Sequence, residues 1–145
     1  MIAIDTNILI HAHREESPKH HQAKTALQQL INQGDIFIPV FCVGEFLRVI
    51  THPKLFAPAH TPAQATSSLS GLLAIHGVHV LKAQDTFPSI LFALMVENEI
   101  KGNLVFDALI AAVLIESGIK SLLSEDRDFK RFREIKCISL QDLTL

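Results

Sequence analysis

The sequence has no tryptophan, no tyrosine, only two cysteines and no excess of positive charge. Each shortage closes off a class of protein. Without Trp or Tyr, a stacking platform for single-stranded nucleic acid has only nine phenylalanines to draw on, and these read as core. Cys42 and Cys137 lack framework spacing, which excludes a disulfide scaffold and fits a reducing compartment, with Cys42 as a small core residue. A net charge of −2 and a pI of about 6.4 argue against binding nucleic acid by bulk charge, so a polyanionic ligand would need local help. The longest apolar run, Ala108 to Ile115, is far too short to cross a bilayer. No basic leader with a cleavage site precedes Met1-Ile2. A soluble, cytoplasmic protein is expected.

What is present is a globular composition. With 145 residues, 48% of them hydrophobic, the chain is expected to form a single domain, 1–145, with a real core. There is no repeat and no low-complexity segment. Short apolar strands alternate with helical stretches, the pattern of an α/β fold on a parallel sheet. The expected strands are Ile2–Asp5, Ile36–Pro39, Val78–Leu81, Ser121–Ser124 and Lys136–Ser139. Ser17-Pro18 reads as a helix cap followed by Pro at the first helical position, and Thr61-Pro62-Ala63-Gln64 as a capping box. Gly34, Gly77, Gly102 and Gly118 follow helical runs, where a C-terminal cap favours φ > 0. The stretch Thr51–Thr61, with Pro53 and Pro58, is an irregular loop suited to bordering a site. Six of the 13 basic residues (Lys120, Arg127, Lys130, Arg131, Arg133, Lys136) crowd into the C-terminal part, as a local basic surface or a solvated face.

The isolated acids carry the chemistry. Asp5 closes the first strand, where α/β sheets place their ligands, although Asp-Thr-Asn is also capping chemistry. Glu45 sits in Val40–Ile50, a run apolar on nearly all sides that reads as a buried helix, with Arg48 available as an i+3 partner. Asp107 interrupts the apolar stretch Asn103–Ser117 with no basic residue in the four positions after it, leaving either a helix-start acid favoured by the dipole or a ligand. Ser121–Phe129 is a strand followed at once by Glu125, Asp126 and Asp128. Several carboxylates in one pocket need a cation to ionise together, and oxygen ligands suit Mg²⁺ or Mn²⁺ better than zinc. Such an arrangement serves in-line attack of water on a phosphodiester.

Four segments, DTNILI from Asp5, GEFLRVITHP over Gly44–Pro53, NLVFDALIAA over Asn103–Ala112 and LLSEDRDF over Leu122–Phe129, resemble the PIN domain, and within it the VapC-type ribonuclease toxins. The resemblance spans nearly the whole chain. It implies a three-layer α/β/α fold with a five-stranded parallel sheet, and an acidic site at Asp5, Glu45, Asp107 and Asp126. It places Asp128 as an outer member, with Asn7 and Ser124 orienting the acids. It further implies Mg²⁺ or Mn²⁺ dependence, endonucleolytic RNA cleavage, homodimers, and a cognate antitoxin protein that fills the cleft. Attack by a metal-bound water would leave 5′-phosphate and 3′-hydroxyl ends. Phe106 departs from the family, many members of which carry a polar residue or His before the third acid. That departure bears on access to the pocket.

Three rivals stand beside this reading. One is a non-catalytic docking module on the same scaffold; another is a PIN nuclease outside toxin–antitoxin systems. A phospho-acceptor receiver domain would need adjacent acids after the first strand and a Lys after the last, and the sequence has neither. Eight histidines, four of them at His11, His13, His20 and His21, invite a zinc site. None forms HExxH and no cysteine lies near them, so surface or core roles are expected.

Overall fold

The computed structural model describes residues 1–144. The chain runs β1 (Ile2–Ile4), α1 (Thr6–His13), α2 (His20–Gln33), β2 (Ile36–Pro39), α3 (Val40–Thr51), α4 (Pro62–Leu73), β3 (Val78–Leu81), α5 (Phe87–Glu97), α6 (Leu104–Glu116), β4 (Ser121–Leu123), a 3₁₀ turn at Arg127–Arg131, and β5 (Lys136–Ile138). All strands pair in parallel, in the order β3-β2-β1-β4-β5. This is the expected α/β fold with a five-stranded parallel sheet.

Strand order fixes where a site can form. From β1 the chain first moves outward through β2 to β3, then α5 and α6 carry it back across to β4 on the other side of β1. The direction of winding therefore reverses between β1 and β4. Such a reversal opens a crevice beyond the carboxyl ends of the two strands. The register Ile4↔Leu123 sets Asp5 and Ser124 level with each other there, and the Asp5 amide donates to Leu123 O at 3.0 Å.

The core is built from the apolar runs that defined the elements. Ala3, Ile4, Ile36, Ile38, Leu122 and Leu123 fill the sheet, and α6 buries Ala108 and Ile110 through Leu114. Phe129 and Phe132, in and just after the 3₁₀ turn, are fully buried and anchor that turn to the sheet. No helix of the described residues is long and apolar enough to cross a membrane.

Three local expectations change. Asp5, Ser124 and Ser139 lie just past their strands rather than inside them. For Asp5 the reason is that it caps α1, accepting the Thr6 amide at 2.8 Å. Helix α2 starts at His20, not Pro18: the Ser17 hydroxyl accepts from the Lys19 amide at 3.2 Å and closes a turn ahead of the helix. Gly34 is extended (φ 163), whereas Gly118 (φ 72) adopts the left-handed cap that glycine favours. The Thr61 capping box forms as read, with Thr61 Oγ1 and Gln64 Oε1 each accepting the other residue's amide.

Candidate active site

Asp5 is 95% buried at the end of β1, and its side chain is the best-held in the crevice. Its Oδ2 accepts from Ser124 Oγ at 2.6 Å and Asn7 Nδ2 at 3.0 Å, while Oδ1 accepts from the Thr6 amide. The Cys42 thiol lies 3.7 Å from Oδ1. Burial pushes the Asp5 carboxyl above its ordinary value, opposed by the Ser124 and Thr6 bonds and assisted by the charges of Glu45 and Asp126. The same buried environment, with Asp5 beside it, raises the Cys42 thiol, so Cys42 is packing rather than a nucleophile.

Ser124 ties the two strand ends together. Its hydroxyl donates to Asp5 and accepts from Asn7 Nδ2 at 3.1 Å and from the Asp126 amide at 3.0 Å. Asn7 completes the link by accepting the Glu125 amide on Oδ1 at 3.1 Å. Asp126 caps the 3₁₀ turn by accepting the Asp128 amide at 2.9 Å. That cap brings Asp128 round to the same side, so oxygens of Asp107, Asp126 and Asp128 all lie within 4.8 Å of one another.

Asp107 reaches this group from the first turn of α6. It is partly buried, and its carboxyl is pushed up to about 6 by burial and then by Asp126, Asp5 and Asp128, with Arg131 acting the other way. A helix-start position is thus correct for Asp107, but it does not neutralise the acid. The unfolded chain titrates at the ordinary 3.8, so the fold binds this proton more tightly. The resulting destabilisation sets in as pH rises from about 4 to about 6 and persists above. Discounted for partial exposure it is about 1 kcal/mol. Chemical denaturation of protein stripped of divalent ions should show this loss between about pH 4 and 6.5, and Asp107→Asn should flatten it. An unchanged profile in the variant would remove Asp107 as the source.

Glu45 differs from its expected setting. It is exposed, on a stripe of α3 with Gly44 and Arg48, and it is not buried. No ion pair joins it to Arg48 among the described residues; instead Thr6 Oγ1 donates to Glu45 Oε2 at 3.3 Å. Glu45, Arg48, Asp107, Asp126 and Asp128 line one cleft of about 700 Å³. Asp5 lies beneath it, outside the close group of oxygens. Four acids therefore line one cleft, with Asp107, Asp126 and Asp128 the tightest set, and the charge of Asp5 acts on Asp107 from outside that lining.

A divalent cation fits this donor set. Three carboxylates within one ion's reach, one of them with its pKa raised chiefly by burial and its acidic neighbours, form a hard-oxygen site lacking only positive charge. The eight histidines are elsewhere: His13 and His60 bond to each other at 2.8 Å beside Phe46 and Phe56, and His79 pairs with Asp35. No grouping of three metal-ligating residues outside the acid cleft occurs among the described residues.

Some participants were legible in the sequence only in part: Thr6 appeared as a cap and Asp128 as an outer member. Phe106, whose departure from the family pattern bore on pocket access, is 64% exposed at the cleft rather than in the core. The Ser124 hydroxyl gives the first test of the network. Ser124→Ala removes three bonds at once and should lower Mn²⁺ affinity and activity by about 10- to 100-fold. Calorimetric Mn²⁺ titration checks this, with partial rescue of activity at high Mn²⁺; wild-type affinity would show that Ser124 orients nothing.

Comparison with known proteins gives a consistent result. A family model described as the PIN domain matches residues 2–135. A VapC ribonuclease of Mycobacterium bovis is 28% identical over 137 residues, spanning 94% of this chain and 92% of that protein. The solved structure of VapBC2 from Rickettsia felis, bound to a DNA fragment from its promoter, matches with TM-score 0.73 and 21% identity over 96% of this chain and 98% of that one. VapC20 of Mycobacterium tuberculosis, described as a Sarcin-Ricin loop cleaving toxin, matches with TM-score 0.69 and 18% identity over 90% and 93% of the two chains. The structural likenesses speak to the fold.

Proposed function

The chain belongs to the PIN-domain family, and from that premise we propose that it is a divalent-metal-dependent endoribonuclease, the toxin of a toxin–antitoxin pair. The observation that carries the reading is the clustering of Asp107, Asp126 and Asp128 in a cleft over Asp5, at the winding reversal between β1 and β4. Its support from relatives is the ribonuclease name of the Mycobacterium bovis protein and the toxin description of VapC20.

Asp5, Glu45, Asp107 and Asp126, with Asp128 beside them, would hold one or two Mg²⁺ or Mn²⁺ ions. Bound there, such an ion supplies Lewis-acid stabilisation of phosphate charge and lowers the pKa of water. The protein's own contribution is positional. Thr6, Asn7 and Ser124 fix the Asp5 carboxylate, Thr6 fixes Glu45, and the Asp126 cap fixes Asp128. Arg48, exposed at the cleft, would meet a backbone phosphate, and Arg127 and Lys130, which line a separate pocket with Lys19, are a second source of positive charge for the RNA backbone. Products would carry 5′-phosphate and 3′-hydroxyl ends.

We place the protein in a reducing cytosol, consistent with its two free cysteines. Its proposed partners are an RNA substrate, a cognate antitoxin and a second copy of itself. The exposed Phe92 (63%) and Val96 (79%) on α5 leave an apolar strip that supports dimerisation.

Purified protein incubated with single-stranded and structured RNAs, with and without Mn²⁺, tests the enzymatic reading. Binding without cleavage in Mn²⁺ would favour the docking module instead. Growth arrest on expression of the chain, relieved by the product of a neighbouring reading frame, tests the toxin assignment; no arrest would leave a nuclease outside toxin–antitoxin systems.

A further inference from the structure

Seven of the nine phenylalanines are buried or half-buried; Phe92 and Phe106 stand out in solvent. Phe106 differs from Phe92 in its place. It sits in the first turn of α6 immediately before Asp107, and it lines the same cleft as Glu45, Asp107, Asp126 and Asp128. Phe41 lines that cleft as well, its ring held by stacking on Phe87 at 5.7 Å and 28°. With Val40 and Leu104 these rings form an apolar wall facing carboxylates. Leaving a phenylalanine ring in water forgoes the free energy of burying it, and nothing in the described chain covers this one.

A nucleotide is divided in the same way as the cleft. Its base offers a flat apolar face to an aromatic ring, and its phosphate carries the charge that a cation-loaded carboxylate cluster attracts. Phe106 and Asp107 line the same cleft, so a base stacked on the ring would bring its phosphate beside the acids. Duplex bases are already stacked on both faces, so only an unpaired base can use an exposed ring. We propose that Phe106 is a stacking platform for an unpaired nucleobase flanking the scissile phosphate. The inference rests on the ribonuclease reading and names a subsite for it. RNA is the favoured occupant because one nucleotide would engage both the apolar wall, through its base, and the adjoining cation-binding carboxylates and Arg48, through its phosphate.

Cleavage kinetics in Mn²⁺ on short single-stranded oligoribonucleotides of randomised sequence test it, with the variants Phe106→Ala, Phe106→Leu and Phe106→Trp. Loss of one base–aromatic stack should raise KM about tenfold in the Ala variant, with a smaller change in kcat. The Leu variant keeps apolar area but loses the ring and should be impaired similarly, whereas Trp should bind at least as tightly as Phe. The ring is solvent-exposed, so melting temperature and Mn²⁺ affinity should not move. A Leu variant with wild-type KM would overturn the platform. So would an Ala variant with unchanged RNA kinetics that no longer binds the co-purified antitoxin, since the wall would then belong to a protein partner. A wild-type protein inert toward every RNA would instead refute the ribonuclease reading itself; that outcome is recognised without any Phe106 variant.

Discussion

Asp107→Asn should lower kcat/KM for RNA cleavage by about a thousandfold, on the order of 4 kcal/mol of transition-state stabilisation, and leave the fold intact. The two halves of that result have one physical origin. Asp107 is a part-buried acid among three other carboxylates, and without a bound cation its charge works against folding. The amide keeps the shape and removes the charge, so apo stability should hold or rise by about 1 kcal/mol at neutral pH. It removes one of the three oxygens that lie closest together, so cation binding should weaken sharply. A structural acid would behave in the opposite way: its removal would cost stability and spare activity. Circular dichroism melting alongside cleavage rates separates the cases, and an active Asp107→Asn protein would sink the assignment.

The second large effect is on stability of the intact protein. A ligand that binds only the folded state stabilises it by about 2.7 kcal/mol at a hundred times its Kd. For a chain of this size that amounts to a rise of several degrees in melting temperature. Mn²⁺ or Mg²⁺ should produce such a rise by gathering Asp107, Asp126 and Asp128, and chelation should reverse it along with activity. In Asp126→Asn the rise should largely vanish, since that residue is both a ligand candidate and the cap that positions Asp128. An equal rise in wild type and variant would mean that the ions bind elsewhere. No rise in either would mean that the cleft does not gather a cation.

Much of this arrangement was legible in the sequence because the acids interrupt apolar runs. Asp5 ends β1, Asp107 stands alone in α6 and Asp126 follows β4, and parallel strands place such residues at one edge. The strands themselves were marked by short apolar runs, with errors of one residue where a strand end became a cap. Glu45 was misjudged because α3 is apolar over most of its surface. Even so, Val40, Gly44, Glu45 and Arg48 fall at helical spacing, and that stripe is its exposed side. The true start of α2 was hidden because Ser17 spends its hydroxyl on a preceding turn and on His11. Asp128's approach depends on the 3₁₀ geometry after Asp126, which spacing alone does not specify. The departure at Phe106 pointed to pocket access, but the exposure of its ring was hidden because Leu104–Glu116 is apolar on nearly every face, and only the fold decides which face is left in water.

The chemistry of the cleft can be tested by one assay on the protein as it stands: end-group analysis of RNA incubated with it in Mn²⁺ and in excess chelator. Internal cleavage leaving 5′-phosphate and 3′-hydroxyl ends, abolished by the chelator, is the expected result. Cleavage that persists in chelator would contradict a carboxylate-held metal site, and so would 2′,3′-cyclic phosphate ends, because these arise when the RNA's own 2′-hydroxyl attacks rather than water.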